Sequence, residues 1–99
     1  MYQVFITENV SKKVRQGTKQ FNWLMEAKTI LQENPFAGDQ VSRRLTPRIY
    51  KRNFSLLYVY RYPVPEAHRI IYFIDADRGL RVIISDLLNH TDYERMFKY

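Results

Sequence analysis

The sequence predicts an α+β domain: an N-terminal strand, a helical hairpin, an antiparallel sheet of three to four strands and a short C-terminal helix. Two observations carry this. From Phe54 to Asp75 (FSLLYVYRYPVPEAHRIIYFID) two runs rich in aromatic, β-branched and leucine residues, Phe54–Tyr62 and Ala67–Asp75, are parted by Pro63-Val64-Pro65-Glu66, where two close prolines interrupt a ladder and turn the chain. Upstream, apolar residues recur at helical spacing, and helices segregated from a run of strands define the α+β class.

Tyr2–Thr7 (YQVFIT) is a short β-type run that must pair elsewhere, at an edge of the sheet or beside the last strand. Val10 and Val14 lie four apart in a first helix, which Gly17 ends or bends. Thr18 can cap a second helix whose apolar stripe is Phe21, Leu24, Met25, Ala27 and Leu31, stopped at Asn34-Pro35. A tight turn between them makes an αα-hairpin. Phe36–Arg48 reads as a loop anchored by Leu45, and Ile49–Arg52 as a β segment or the start of the Phe54 strand. Asp75–Gly79 is a turn, and Leu80–Leu88 (LRVIISDLL) a further strand, with Arg81 and Asp86 on opposite faces by the two-residue period. Thr91-x-x-Glu94 is a capping-box pattern, so a short helix begins there, with His90 just before the cap and Tyr93 and Phe97 on one face.

Ninety-nine residues make one domain, 1–99, with a single modest core. No run approaches the roughly eighteen apolar residues of a membrane helix. MYQVFITENV lacks the basic start and apolar core of a signal peptide. The chain has no cysteine, which excludes disulfides, thiolate nucleophiles and zinc fingers and fits a reducing compartment, so a cytoplasmic protein is expected. No metal-ligand spacing, glycine-rich phosphate loop or Ser-His-Asp order is present, and neither a metal nor a small-molecule cofactor is expected. The net charge is +6, and its distribution is uneven. From Gln40 to Pro65 there is no acidic residue but six basic ones, Arg43, Arg44, Arg48, Lys51, Arg52 and Arg61, whereas after Tyr62 five basic residues face six acidic ones. One continuous segment therefore holds the positive field, which points to a polyanion such as nucleic acid.

Arg61, Arg69 and Arg81 lie on three successive strand runs, and neighbouring antiparallel strands can gather such guanidiniums into a phosphate clamp. The alternatives are a rim salt bridge from Arg69 to Asp75 or Asp86, and a plain surface charge for Arg81. His90 and Tyr93 follow the last strand, where an imidazole can exchange a proton at neutral pH and a phenol can orient or donate. Against that, His90 can be a local hydrogen-bonder and Tyr93 can pack on Phe97. His68 alternates to the other face and reads as structural.

These pieces in this order resemble the RelE/ParE superfamily of toxins from type II toxin–antitoxin systems, over nearly the whole chain. The resemblance rests on the N-terminal strand, the helical hairpin, a Gly-to-Leu loop (Gly38 to Leu45), the run His68-Arg69-Ile70-Ile71-Tyr72, which looks like the family's Tyr-Arg-apolar-apolar-Tyr strand, and the ending Asn89-His90-Thr91-Asp92-Tyr93. It implies a RelE-like endoribonuclease that cuts mRNA on the 70S ribosome, by attack of a ribose 2′-OH on the adjacent phosphate without a metal. Arg69 matches the arginine that stabilises the phosphate, Arg61 the backbone-holding cation of the preceding strand, and His90 and Tyr93 the proton-transfer residues. Arg43, Arg44, Arg48, Lys51, Arg52 and Arg81 would hold RNA. A cognate antitoxin is the implied protein partner. Departures are Tyr58 and Tyr60, where RelE carries lysines, and Pro-Val-Pro-Glu-Ala in place of a glycine turn. The same fold also carries ParE-like inhibitors of DNA gyrase, and a catalytically inactive RNA-binding member is a third reading.

Overall fold

The structure is a computed structural model that describes residues 2–53, 58–76 and 80–97, with backbone only for 51–53. In chain order it forms β1 (Gln3–Ile6), α1 (Glu8–Lys13), α2 (Lys19–Glu33), β2 (Asp39–Gln40), a 3₁₀ turn (Arg43–Leu45), α3 (Arg48–Asn53), β3 (Val59–Val64), β4 (His68–Asp75), β5 (Arg81–Leu88) and α4 (His90–Phe97). The strands form one sheet in the order β1-β5-β4-β3-β2. The α+β expectation holds, but the sheet has five strands and is mixed. β2 adds a short antiparallel edge, and β1 runs parallel to β5, with Phe5 opposite Ile83. β1 does lie beside the last strand. Its direction is set by the two helices that carry the chain away from it, which no residue pattern within β1 encodes.

Both faces of the sheet are covered. Val10, Leu24, Ala27 and Leu31 of α1 and α2 pack on Tyr60, Ile70, Tyr72, Val82 and Ile84. Tyr50 of α3 and Tyr93 and Phe97 of α4 pack with Val41 on Val59, Ile71, Phe73 and Leu88 of the opposite face. This explains why Ile70-Ile71-Tyr72-Phe73 is continuously apolar: each of the four is 0% exposed. A strand buried on both sides has no reason to alternate. The Thr18 cap is as expected, its side chain accepting from the Phe21 N–H at 3.2 Å. The hairpin is looser than two aligned rods, because α1 has only six residues and packs mainly on β5.

Several expectations are corrected. Ile49–Arg52 lies in helix α3, not in a strand. Leu45 is 36% exposed, and the loop is anchored instead by Val41, 2% exposed, whose N–H donates to Val59 O. Pro63 and Val64 stay in β3, and the turn is Pro65–Ala67. Pro63 is tolerated because, among the described residues, β2 pairs only with Tyr60 and Arg61 and no strand pairs with β3 on that side at Pro63, so no N–H is needed there. Helix α4 starts at His90, and its cap is Asn89, whose side-chain oxygen accepts from the Asp92 N–H at 2.8 Å; Thr91 is already inside the helix. Asn89 wins because it directly follows the last ladder residue, where the backbone must turn.

The clearest failure of the two-residue period is at Ser85. The ladder pairs Ile84 with Tyr72 but Asp86 with Ile71, so Ser85 is an inserted residue, a β-bulge. The insertion moves Asp86 onto the face of Arg81. There the buried carboxylate accepts from Tyr50 Oη at 2.5 Å and Asn9 Nδ2 at 2.8 Å, with Lys13 Nζ at 3.9 Å. One acid thus ties α1 and α3 to β5. Phe54–Leu57, expected to open the central strand, and Asp77–Gly79, expected to complete a turn, lie outside the described residues.

Candidate active site

Arg61 and Arg69 are brought together by the β3–β4 register. Arg69 stands opposite Pro63, so Arg61, two residues back, is its diagonal neighbour on the same face, roughly 7–8 Å away along the sheet. Leu88 is opposite Arg69 on the other side, so β5 ends beside it. The Asn89 cap then turns the chain and lays α4 over this face. The stacked pair Tyr93–Phe97, 4.6 Å between centroids, anchors α4 to the apolar layer beneath.

A cavity of about 500 Å³ remains between the helix and the strands, lined by Asp39, Arg61, Pro63, Arg69, His90, Tyr93 and Glu94. Arg61 Nη1 donates to Tyr93 Oη at 2.6 Å, and the Arg69 guanidinium lies 5.8 Å from the Tyr93 ring centroid. Arg69 Nη1 also donates to the backbone oxygen of His68 at 3.0 Å, which holds the guanidinium near its own strand. His90 Nε2 lies 3.0 Å from Glu94 Oε1, one helical turn on. Both side chains are more than half exposed, so this pair orients the imidazole but adds little stability.

Arg61, Arg69, His90 and Tyr93, singled out in the sequence, therefore share one cavity. Tyr93 does two things at once: its ring packs on Phe97 and its hydroxyl faces the cavity. Arg69 is not the partner of Asp75 or Asp86. Asp75 pairs with Arg81 at 2.5 Å, and Asp86 is held by Tyr50 and Asn9. Arg81 does not join the cluster. It sits at the far end of β4 and β5, six residues along the strand from the level of Arg69, roughly 20 Å away. Arg43 and Arg44 lie on the exposed 3₁₀ turn and Arg48 opens α3, outside the cavity. Lys51 and Arg52 are on α3, and their side chains lie outside the described residues. His68 is on the other face, its ring 5.0 Å from Trp23, as its alternation implied.

Reading the sequence missed Asp39 and Glu94. Glu94 is legible in hindsight as the i+4 partner of His90. Asp39 reaches the cavity only because β2 pairs with β3, opposite Arg61. With two guanidiniums and two carboxylates, the cavity is not uniformly cationic; an incoming anion is met by Arg61 and Arg69 at the sheet, with the acids at β2 and α4. Among the described residues no group of three His, Cys, Asp or Glu side chains is close enough to hold a metal ion. Also among these residues, no helix is long and apolar enough to cross a membrane.

What the geometry defines is a cleft that sets two guanidiniums beside an imidazole, a phenol and two carboxylates. The chain matches none of the protein-family models, curated proteins or solved structures with which it was compared.

Proposed function

We infer that this protein is a RelE-like toxin, a ribosome-dependent mRNA endonuclease restrained by a cognate antitoxin. The observation that carries this reading is the meeting of Arg61, Arg69, His90 and Tyr93 in one cleft of about 500 Å³, two cations beside an imidazole and a phenol. RNA supplies its own nucleophile, so the protein needs only a base, an acid and charge stabilisation. In this mechanism Arg69 neutralises the phosphate as negative charge builds on its oxygens. His90, held through Nε2 by Glu94, takes the 2′-OH proton at its other ring nitrogen. The 2′-oxygen–phosphorus bond forms, the phosphorus–5′-oxygen bond breaks, and the Tyr93 hydroxyl, polarised by Arg61, donates the proton to the leaving oxygen. The products are a 2′,3′-cyclic phosphate and a 5′-OH.

The test is cleavage of mRNA on programmed ribosomes, with the cut ends mapped. Arg69→Ala and His90→Ala, both on an intact fold by circular dichroism, are expected to lower the rate by roughly 100-fold or more. Gyrase-dependent DNA breaks without mRNA cuts would move the protein to the ParE-like branch. Neither effect, with salt-sensitive RNA binding, would leave a non-catalytic RNA-binding protein.

A further inference from the structure

β1 is one edge of the sheet: among the described residues it pairs only with β5. The Thr7 N–H donates to Ile84 O at 3.0 Å, so by the two-residue period Gln3, Phe5 and Thr7 turn their backbone groups toward β5. Val4 and Ile6 turn theirs the other way, off the sheet. Tyr2 shares that outward direction, but its N–H already donates to Gln32 O at 2.8 Å. The side chains divide by the same period. Val4 and Ile6 pack against the core beneath the helices, whereas Phe5, opposite Ile83, is 49% exposed on the other face. Natural edges are blunted by a charged residue, a proline or a bulge. β3 carries Pro63, and the opposite edge, β2, begins with Asp39; Gln3–Ile6 has none of these devices.

We propose that β1 pairs antiparallel with β1 of a second copy of this chain, about a twofold axis at Phe5, joining two five-stranded sheets into one. Only one register serves both outward residues. Centred on Val4, the pairing sets Ile6 against Tyr2, whose N–H is taken. Centred on Ile6, it sets Val4 against Glu8, which is already in helix α1. Centred on Phe5, it sets Val4 against Ile6 on both sides of the axis, and each such pair exchanges both its N–H···O bonds. Phe5 then faces Phe5 of the second copy as a non-hydrogen-bonded pair with Cα atoms about 4.5 Å apart, so the two exposed rings cover each other. The same register puts Glu8 of the second copy opposite Tyr2, at the groove that Tyr2 and Lys28 line, and opposite charges meet at each end of the interface. That reciprocity is what a second copy supplies and an unrelated strand does not. The inference is independent of the nuclease reading, because β5 separates β1 from the strands that carry Arg61 and Arg69.

Sedimentation of the full chain across about 1–500 µM, the range in which a small interface is read, is expected to move the mass from 12.0 kDa toward twice that value. Phe5→Lys opposes two like charges at the axis and should weaken association roughly tenfold or more, with the urea midpoint near that of the wild type because the position is exposed. The chain has no cysteine, so Phe5→Cys reports the register. Its two Cα atoms, at about 4.5 Å, fall within disulfide range, and oxidation should link the copies. Gln3→Cys, whose copies lie roughly 13 Å apart along the paired strands, should stay unlinked. A monomer at every concentration, a dimer that Phe5→Lys leaves intact, or linkage through Gln3→Cys and not through Phe5→Cys would overturn the proposal. The first of these outcomes would leave the edge to a strand from a different protein.

Discussion

Replacing Gly38 by alanine should destabilise this protein more than any other single-methyl addition in the loop before the central strands. An added Cβ at Gly38 would lie 2.5 Å from the backbone oxygen of Arg61 and 2.8 Å from Tyr72 Oη. Neither neighbour can move freely. The first belongs to β3 next to Asp39, and the second accepts from the Gly38 N–H at 2.9 Å while donating to Pro35 O at 2.8 Å. Relief requires β2 to lift from β3, which breaks the Gly38–Tyr72 bond and pulls Asp39 away from the cleft. Overpacking of this kind costs about 1–3 kcal/mol and a buried hydrogen bond about 1, giving ~2–4 kcal/mol. For a domain of this size that lowers Tm by roughly 10–30 °C. Urea denaturation followed by Trp23 fluorescence, the sole tryptophan, reads the change directly. Combining Gly38→Ala with Tyr72→Phe removes one of the two clashing atoms, so the double variant should lose about 1 kcal/mol less than the sum of the singles. A Gly38→Ala loss below about 1 kcal/mol, within the range of ordinary surface changes, would refute the reasoning.

Glu66 and Ala67 both have positive φ, 59° and 58°, as a tight hairpin turn requires. Ala67→Gly should therefore stabilise the protein by about 0.5–1 kcal/mol, since relief of the left-handed strain exceeds the added chain entropy; a drop in urea midpoint would contradict this. Burial raises the Tyr72 phenol to about 12, partly opposed by the Gly38 N–H bond, and burial raises Tyr50 as well. Their neutral forms are favoured when folded, so this stability is full below the unfolded tyrosine value of about 10 and is lost as pH rises toward about 12. The urea midpoint should fall across that window, and Tyr72→Phe should flatten the fall. Tyr93→Phe keeps the ring on Phe97 but removes the hydroxyl that Arg61 contacts. Near-native unfolding with mRNA cleavage slowed by roughly 100-fold is expected, and unchanged cleavage would remove Tyr93 from the mechanism.

Much of this arrangement was legible in the residues. Thr18 announced the second helix, the Val/Ile/Tyr-rich runs announced the strands, and the period of two sent His68 and Arg69 to opposite faces. The grouping of Arg61 with Arg69 was legible only as an option of antiparallel pairing; the β3–β4 register that realises it was not. Errors arose where a local pattern competed with a partner distant in the chain. Ile49–Arg52 is apolar and basic enough for a strand, yet Tyr50 is pulled into a helix that buries its ring against Phe73 and its hydroxyl against Asp86. Thr91 had the better capping motif, yet Asn89 stood where β5 ends.

By itself, the sequence determined the class of fold, the acid-free basic segment and which side chains carry a guanidinium, imidazole or phenol, because these depend on composition and short-range spacing. The tertiary structure alone decided the parallel seat of β1, the bulge at Ser85 that turns Asp86 inward, the removal of Arg81 to the far end of the sheet, and the entry of Asp39 into the cleft. Each of these depends on register between segments far apart in the chain. A shift of one residue reverses which face a side chain occupies, and only the packing of both sheet faces at once selects among the registers.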